Sequence, residues 1–165
     1  MVNFALGAGN TFTYAAPFGF SGIAQANINS GTVVLNGVNS ASAVAVNPGG
    51  TLGGTGTVNA AVTINPGGTL APGNGTPGSS MNVVGSLAFD SAAFYRVQVN
   101  PLTASSTSVT GTASLAGTVQ AFFASGTYGL VHTYTILTAG LRTGTFAPPD
   151  CRMVPAARRQ TSKRA

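Results

Sequence analysis

The chain has 165 residues, enough for one domain, but only 5% of them are charged, against about 25% in an average protein. It contains no Glu and a single Lys, two residues with which helices are commonly built, and this argues against an α-rich fold. The abundance of Val, Thr, Ala, Ser, Asn and Gly instead favours β-strands joined by tight turns.

The net charge of +5 is concentrated at one end of the chain. Residues 1–150 contain two arginines and two aspartates, whose charges cancel, and the other five basic residues all lie within 152–164. A nucleic-acid groove needs cations distributed along its face, so we expect no nucleic-acid partner for the body of the chain. The single cysteine, Cys151, excludes an internal disulfide and a multi-cysteine metal site.

Residues 1–30 are weakly patterned, and the first clear feature in chain order is a repeat. The hexapeptide Asn-Pro-Gly-Gly-Thr-Leu occurs at Asn47–Leu52 and again at Asn65–Leu70. Counting back from Asn47 by the spacing between the two copies leads to Asn29, which opens a degenerate earlier copy, Asn-Ser-Gly-Thr-Val-Val-Leu. A turn signal at a fixed offset, each time after an alternating apolar stretch, predicts a stacked β-solenoid.

Six residues of the two copies form the candidate structural site. They are Gly49, Gly50, Gly67, Gly68, Asn47 and Asn65. The glycines tolerate positive φ after a proline that fixes φ, so we predict that they make the coil turns. The two asparagines hold the same phase one coil apart, and we expect their amides to form a ladder or a turn rather than to bind a ligand.

Beyond the repeat the pattern changes from short coils to longer strands. Residues 71–80 hold two prolines and three glycines and therefore predict a loop. The strands predicted after this loop are Met81–Phe89, Phe94–Asn100, Ser114–Phe123, His132–Ala139 and Thr143–Phe146, with a hairpin-type turn at Ser125–Leu130. The core candidates are Val58, Val62, Ile64, Leu70, Val97, Val99, Leu115, Val119, Ile136 and Leu137. We expect the second half of the chain to be a β-rich cap that protects the last edge of the solenoid.

Candidate catalytic residues are few, and their surroundings do not support chemistry. A Ser/His/Asp arrangement lacks the Gly-x-Ser-x-Gly elbow, and His132 begins an alternating strand. Asp90 lies in a turn and Asp150 in the basic tail, which does not suit a carboxylate pair. The glycine-rich stretches lack the ending of a phosphate loop, and the repeats lack the aspartates of calcium-binding coils. We predict no catalytic residue, no cofactor, no metal and no small-molecule substrate.

Several motifs within 30–147 occur in a characteristic order. Gly-Gly-Thr-Leu-Gly-Gly-Thr-Gly-Thr-Val occupies 49–58, and Ile-Asn-Pro-Gly-Gly-Thr-Leu-Ala-Pro-Gly-Asn occupies 64–74. The series continues through segments 83–89, 95–99, 109–119, 134–139 and 143–146. It resembles the passenger domains of autotransporters, the type V secreted proteins of Gram-negative bacteria. In these, the autotransporter-associated β-strand repeat is followed by a pertactin-like C-terminal autochaperone segment.

The resemblance implies a right-handed parallel β-helix, with coils in 1–80 (degenerate before about residue 29) and an autochaperone-like β-rich cap in 81–147. It also implies a non-enzymatic stem and folding-nucleating segment of a passenger that is exported to the bacterial cell surface. The implied partner is the outer-membrane β-barrel translocator, in cis in the full-length protein.

The alternative is a surface adhesin, a solenoid that binds carbohydrate or contacts a host or neighbouring cell surface. Exposed aromatic side chains clustered on one face would favour this alternative. The candidates for such a cluster are Phe12, Tyr14, Phe18 and Phe20. Core packing or capping of the N-terminal end explains the same residues equally well.

The two ends of the chain depart from the pattern of an autotransporter. The first residues lack the positive and apolar regions of a signal peptide, and no segment matches a translocator barrel. Residues 148–165 lose the strand alternation and hold most of the charge. A tail of this kind could bind nucleic acid or an anionic membrane. We expect instead a disordered end, or the product of a frameshift or a truncated gene, and therefore a passenger fragment.

Overall fold

The computed structural model describes residues 1–16 and 19–147, so the predicted tail 148–165 and Phe18 lie outside the described residues. Within those ranges the chain is all-β and contains no helix, which confirms the predicted fold class at this level. The strands are β1 (Val2–Ala5), β2 (Thr11–Tyr14), β3 (Ile23–Leu35), β4 (Val38–Val46), β5 (Gly50–Gly54), β6 (Thr57–Ile64), β7 (Thr69–Pro72), β8 (Ser80–Val84), β9 (Leu87–Phe89), β10 (Phe94–Val99), β11 (Ser106–Leu115), β12 (Thr118–Phe123) and β13 (Leu137–Gly144).

The thirteen strands of the described chain form one sheet that consists of two ladders sharing β3. The first ladder runs β1–β3–β4–β6, continues through β8 and β9, and ends with β11 and β13. The second ladder runs β2–β3–β5–β7–β10–β12. All strand pairs in both ladders are parallel, and parallel neighbours require a crossover connection. From β4 onward each crossover passes through a strand of the other ladder, an arrangement compatible with the predicted solenoid.

The separation along the chain between paired residues increases from the repeat toward the C-terminal strands. Leu52 of the first hexapeptide pairs with Leu70 of the second, which is the offset of the repeat itself. Leu70 in turn pairs with Tyr95 at a larger offset, and Thr107 pairs with Leu137 at one that is larger still. The separation grows because the connections between the two ladders become longer, while the parallel pairing continues.

One hydrophobic cluster contains inward-facing side chains of both ladders. Alternate residues of a strand point to opposite faces, so strands such as β6, β8 and β10 contribute every second side chain to this cluster. Seven of the predicted core residues are buried: Val58, Val62, Ile64, Leu70, Val97, Val99 and Leu115. Three are only half-buried: Val119, Ile136 and Leu137. Val119 and Leu137 lie on the last strands of the two ladders, and Ile136 directly precedes β13, where no further strand of the described chain covers them.

Two of the predicted strands are each divided in the structure. The predicted strand Ser114–Phe123 is divided between β11 and β12 at Gly117, where an added Cβ would lie 2.4 Å from the Ala93 carbonyl oxygen. The predicted strand Met81–Phe89 is divided between β8 and β9 at Gly85. Alternation predicts an extended chain, but it does not reveal these close backbone approaches.

The predictions for the region before β13 were wrong in two respects. The strand expected at His132–Ala139 begins only at Leu137 and ends at Gly144. The hairpin expected at Ser125–Leu130 is absent from the described chain, because β12 pairs with β10 and β13 pairs with β11, both in parallel. Residues 124–136 instead form the long connection from the second ladder back to the first.

Candidate functional site

The six candidate structural residues lie in turns that connect the first ladder to the second. Gly50 N donates to Asn47 O at 2.9 Å, and Gly68 N donates to Asn65 O at 2.8 Å, so each hexapeptide closes a four-residue turn. Each turn is short enough to lead directly from one ladder into a strand of the other. The two copies therefore make the same corner in successive layers.

The turns are joined to one another by backbone hydrogen bonds at a residue with positive φ. Gly49 and Gly67 have φ of 82° and 81°, and the equivalent Gly31 has φ of 75°. Gly31 N donates to Gly49 O at 3.2 Å, and Gly49 N donates to Gly67 O at 3.1 Å. Gly67 N continues the series to Ala92 O at 2.9 Å. The left-handed conformation thus occurs at the same position of successive turns, and glycine adopts it without steric cost.

The second glycine of each pair is required for a different reason. Gly50 has no positive φ, but an added Cβ would lie 2.3 Å from the Ile28 carbonyl oxygen. At Gly68 an added Cβ would lie 2.4 Å from the Val46 carbonyl oxygen. An added Cβ at Gly49, in contrast, would find no atom closer than the Asn29 carbonyl oxygen at 4.0 Å. The two glycines of a turn therefore meet separate constraints, one conformational and one steric.

The asparagines at the start of the turns form a side-chain ladder. Asn47 Nδ2 donates to Asn29 Oδ1 at 2.7 Å, and Asn65 Nδ2 donates to Asn47 Oδ1 at 2.7 Å. An amide is both donor and acceptor, so the same residue at the same phase can be paired on both sides. The ladder includes Asn29 of the degenerate copy, and its geometry explains these asparagines without a ligand.

A fourth turn continues the row where the sequence motif has disappeared. Ala93 N donates to Asp90 O at 3.1 Å, and Ala92 has φ of 62°, the only positive φ at a non-glycine residue in the described chain. Asp-Ser-Ala-Ala therefore takes the place of Asn-Pro-Gly-Gly. The sequence signal that could have indicated this turn was Asp90 at its start, followed by a strand in which Tyr95 takes the position that Leu70 has after the second hexapeptide. It is weak, because the offset from Leu70 to Tyr95 is larger than the offset of the repeat.

The side chains weighed for catalysis do not come together. His132 is exposed and stacks on Tyr134, with ring centroids 5.7 Å apart. Asp90 belongs to the fourth turn, and Asp150 and Cys151 lie outside the described residues. Over the described ranges no group of three His, Cys, Asp or Glu side chains could hold a metal ion. In the same part of the chain no helix has the length and apolar character needed to span a membrane.

The buried Tyr95 of the C-terminal half has structural partners for both its hydroxyl and its ring. The Tyr95 hydroxyl donates to the Ile136 carbonyl oxygen and lies 3.0 Å from Thr107 Oγ1. Burial raises the pKa of the Tyr95 phenol well above its usual range. The ring packs against Phe89 and Phe146, with centroids 5.3 Å and 5.6 Å away. This aromatic cluster links β9 and β10 to the segment that follows β13.

The N-terminal aromatic residues pack mainly against one another. Phe12 lies 5.9 Å from Phe4 and 5.0 Å from Tyr14, measured between ring centroids, and Tyr14 lies 5.7 Å from Phe20. Phe20 is buried, whereas Phe12 is exposed over 41% of its surface. The group therefore covers the N-terminal end of the core more than it presents an aromatic surface.

Comparison with known proteins gives no family for this chain. No family model matches it, and no curated protein matches it.

Proposed function

We propose that this chain is a non-enzymatic segment of an autotransporter passenger, folded as a right-handed parallel β-helix with a β-rich C-terminal cap. In this role it serves as a stem and as a folding nucleus during export to the bacterial cell surface. The observation that carries the proposal is the continuity of the two parallel ladders, joined by stacked turns, from β1 to β13. Such a stack gives a long, uniform support and offers few side chains for catalysis.

The folding role is supported by the aromatic cluster around Tyr95. Tyr95 and Phe89 are among the largest fully buried side chains, and the Tyr95 hydroxyl bonds bridge β10 to β11 and to the connection before β13. Contacts of this size allow the C-terminal layers to become stable first. In a solenoid each layer depends only on its neighbours, so folding can spread from such a nucleus toward the N-terminus.

The proposed partner is an outer-membrane β-barrel translocator in cis, and the proposed location is the outer surface of the cell. A chain that leaves the barrel with its C-terminal part first would expose 81–147 before 1–80. A nucleus in 81–147 then holds the exported part outside and prevents backward movement. The stacked layers add to it as the remaining chain emerges.

Surface display of a fusion tests the proposal. The chain is placed between a signal peptide and a type V translocator barrel, and its exposure is measured by added protease on intact cells. We expect display of a protease-resistant domain. Phe89→Ala and Phe4→Ala form a matched pair, because each removes a buried ring. We expect Phe89→Ala to reduce protease resistance more, because Phe89 belongs to the proposed nucleus. Failure of the parent fusion to reach the surface, or equal effects of the two variants, would contradict the proposed role.

A further inference from the structure

The outward face of β10 and β12 carries a cluster of side chains that the core does not use. Alternation directs Tyr95, Val97 and Val99 inward, so the intervening side chains of β10 point outward. Register then sets Phe94 beside Thr118, Arg96 beside Gln120, and Gln98 beside Phe122. We call this set the β10–β12 outer face; its members are Phe94, Arg96, Gln98, Thr118, Gln120 and Phe122.

Arg96 lies at the centre of this face, and no acidic side chain of the described residues forms an ion pair with it. Its guanidinium carbon is 5.2 Å from the centroid of the Phe122 ring, a cation–π contact that holds the group in place. Its Nε atom is shielded from solvent and has no hydrogen-bond partner within the described residues. Asp90, the one acidic residue of the described ranges, belongs to the turn before β10. The guanidinium is therefore ordered by the fold but lacks an anionic partner there.

The neighbouring side chains define the chemistry that such an anion would carry. Phe122 is 47% exposed, and Phe94 is half-buried on the same face. Their rings provide apolar surface for the C–H groups of a sugar ring, and the Gln98 and Gln120 amides can both donate to and accept from hydroxyls. Arginine binds a carboxylate through two parallel hydrogen bonds. We propose that the β10–β12 outer face binds an acidic saccharide, with Arg96 on the carboxylate of a uronic acid.

The second ladder, to which β10 and β12 belong, indicates a linear glycan rather than a single sugar. The outward position occupied by Phe94 is continued across the preceding strands by Thr69, Thr51, Thr32 and Thr11, each in register with the next. Thr69 is buried next to Phe94, while Thr51 and Thr32 are half-buried and Thr11 is exposed. Strands lie about 4.8 Å apart, so accessible hydroxyls recur at a regular spacing along this row. A polymer bound at Arg96 that extends across the strands toward β2 meets the first accessible hydroxyl one strand beyond Thr69, at Thr51.

This binding role is separate from the stem and folding roles, and it can be measured on the full chain in solution. The probe is a hexamer of galacturonic acid, with a neutral galactose hexamer as the comparison, and binding is followed by isothermal titration calorimetry. We expect the acidic hexamer alone to bind, and Arg96→Gln to weaken its affinity by about tenfold or more, as for loss of a bidentate carboxylate contact. Phe122→Ala is expected to weaken binding in the same direction.

Two control variants separate this site from general charge attraction. Arg142→Gln removes an exposed arginine on β13, and the double variant Arg158→Gln with Arg159→Gln reduces the charge of the basic tail. Both are expected to leave the affinity within about twofold, and the thermal unfolding midpoint verifies that each variant is folded. Unchanged binding by Arg96→Gln, or an equal loss with either control, would overturn the proposal. If Arg96→Gln does not fold, unchanged binding by Phe122→Ala overturns it instead.

Competition by equimolar acetate would reduce the site to a simple anion site and would also reject the saccharide.

Discussion

Alanine substitutions at Gly49 and Gly50 should separate the conformational and the steric demands of the first turn. Gly49 has φ of 82°, but space for a Cβ is open to 4.0 Å. An alanine there has only to adopt the left-handed conformation, which costs about 1–2 kcal/mol. Gly50 needs no left-handed conformation, yet its added Cβ would lie 2.3 Å from the Ile28 carbonyl oxygen.

The steric cost at Gly50 is expected to be the larger one. An ordinary contact requires about 1 Å more separation between β5 and β3, next to the fully buried Leu52. Overpacking of this kind costs about 3 kcal/mol, since backbone rather than a flexible side chain must move. We therefore expect Gly50→Ala to lower the free energy of unfolding by roughly twice as much as Gly49→Ala. In thermal midpoint this corresponds to a decrease of about 9 °C for Gly50→Ala against about 3–6 °C for Gly49→Ala.

Urea unfolding followed by far-UV circular dichroism measures both variants on the full chain. The second turn supplies a replicate, because an added Cβ at Gly67 would be 3.3 Å from Pro48 Cβ, whereas at Gly68 it would be 2.4 Å from the Val46 carbonyl oxygen. The same order of stability is expected there. A result in which Gly49→Ala is as destabilising as Gly50→Ala would refute the division of roles within the turn.

Further predictions concern the fourth turn, the asparagine ladder and the buried tyrosine. Ala92→Gly should raise the free energy of unfolding by about 1 kcal/mol in urea, because it relieves a left-handed alanine at φ of 62°. Asn47→Ala should lower it by about 1–2 kcal/mol in the same assay, since two amide hydrogen bonds are lost, while Asn82→Ala at an exposed site should change it little. The pKa of Tyr95 is raised, so the folded state holds the phenolic proton more tightly than the unfolded state does. Stability should then be independent of Tyr95 ionisation below the ordinary tyrosine pKa of about 10 and should fall as pH rises above it. Unfolding scans from neutral to alkaline pH should show a shallower fall for Tyr95→Phe than for the parent.

Each of these predictions has a contrary outcome. A loss of stability in Ala92→Gly would contradict the strained turn. Equal effects of Asn47→Ala and Asn82→Ala would contradict the ladder. Parallel pH profiles for the parent and Tyr95→Phe would contradict the effect of burial on the phenol.

The repeat made the first half of the fold predictable from the sequence. An identical hexapeptide at a fixed offset indicates both a turn and its register, and Leu52 does pair with Leu70. The reason is physical: each of the first three corners uses a glycine with positive φ and a paired asparagine, so the same residues recur. Asn29 could be assigned to the same row by counting back one step.

The second half could be predicted as strands but not as pairs of strands. Alternation in Phe94–Val99 correctly gives the buried Tyr95 and Val97, but alternation carries no information about which strand is the neighbour. As the crossovers lengthen, equivalent positions are no longer at a constant offset, and the Asp90 turn shares no glycine with the earlier copies. The outer face around Arg96 was missed for a related reason: its members are brought together only when β12 pairs with β10.

Pulse-labelling hydrogen exchange during refolding of the full chain reports which layers form first and therefore tests the proposed folding nucleus. We expect the backbone amides of β10 and β11, around the Tyr95 cluster, to become protected before those of β3 and β4. Protection of β3 and β4 first, or simultaneous protection of all strands, would contradict a folding nucleus in the C-terminal layers.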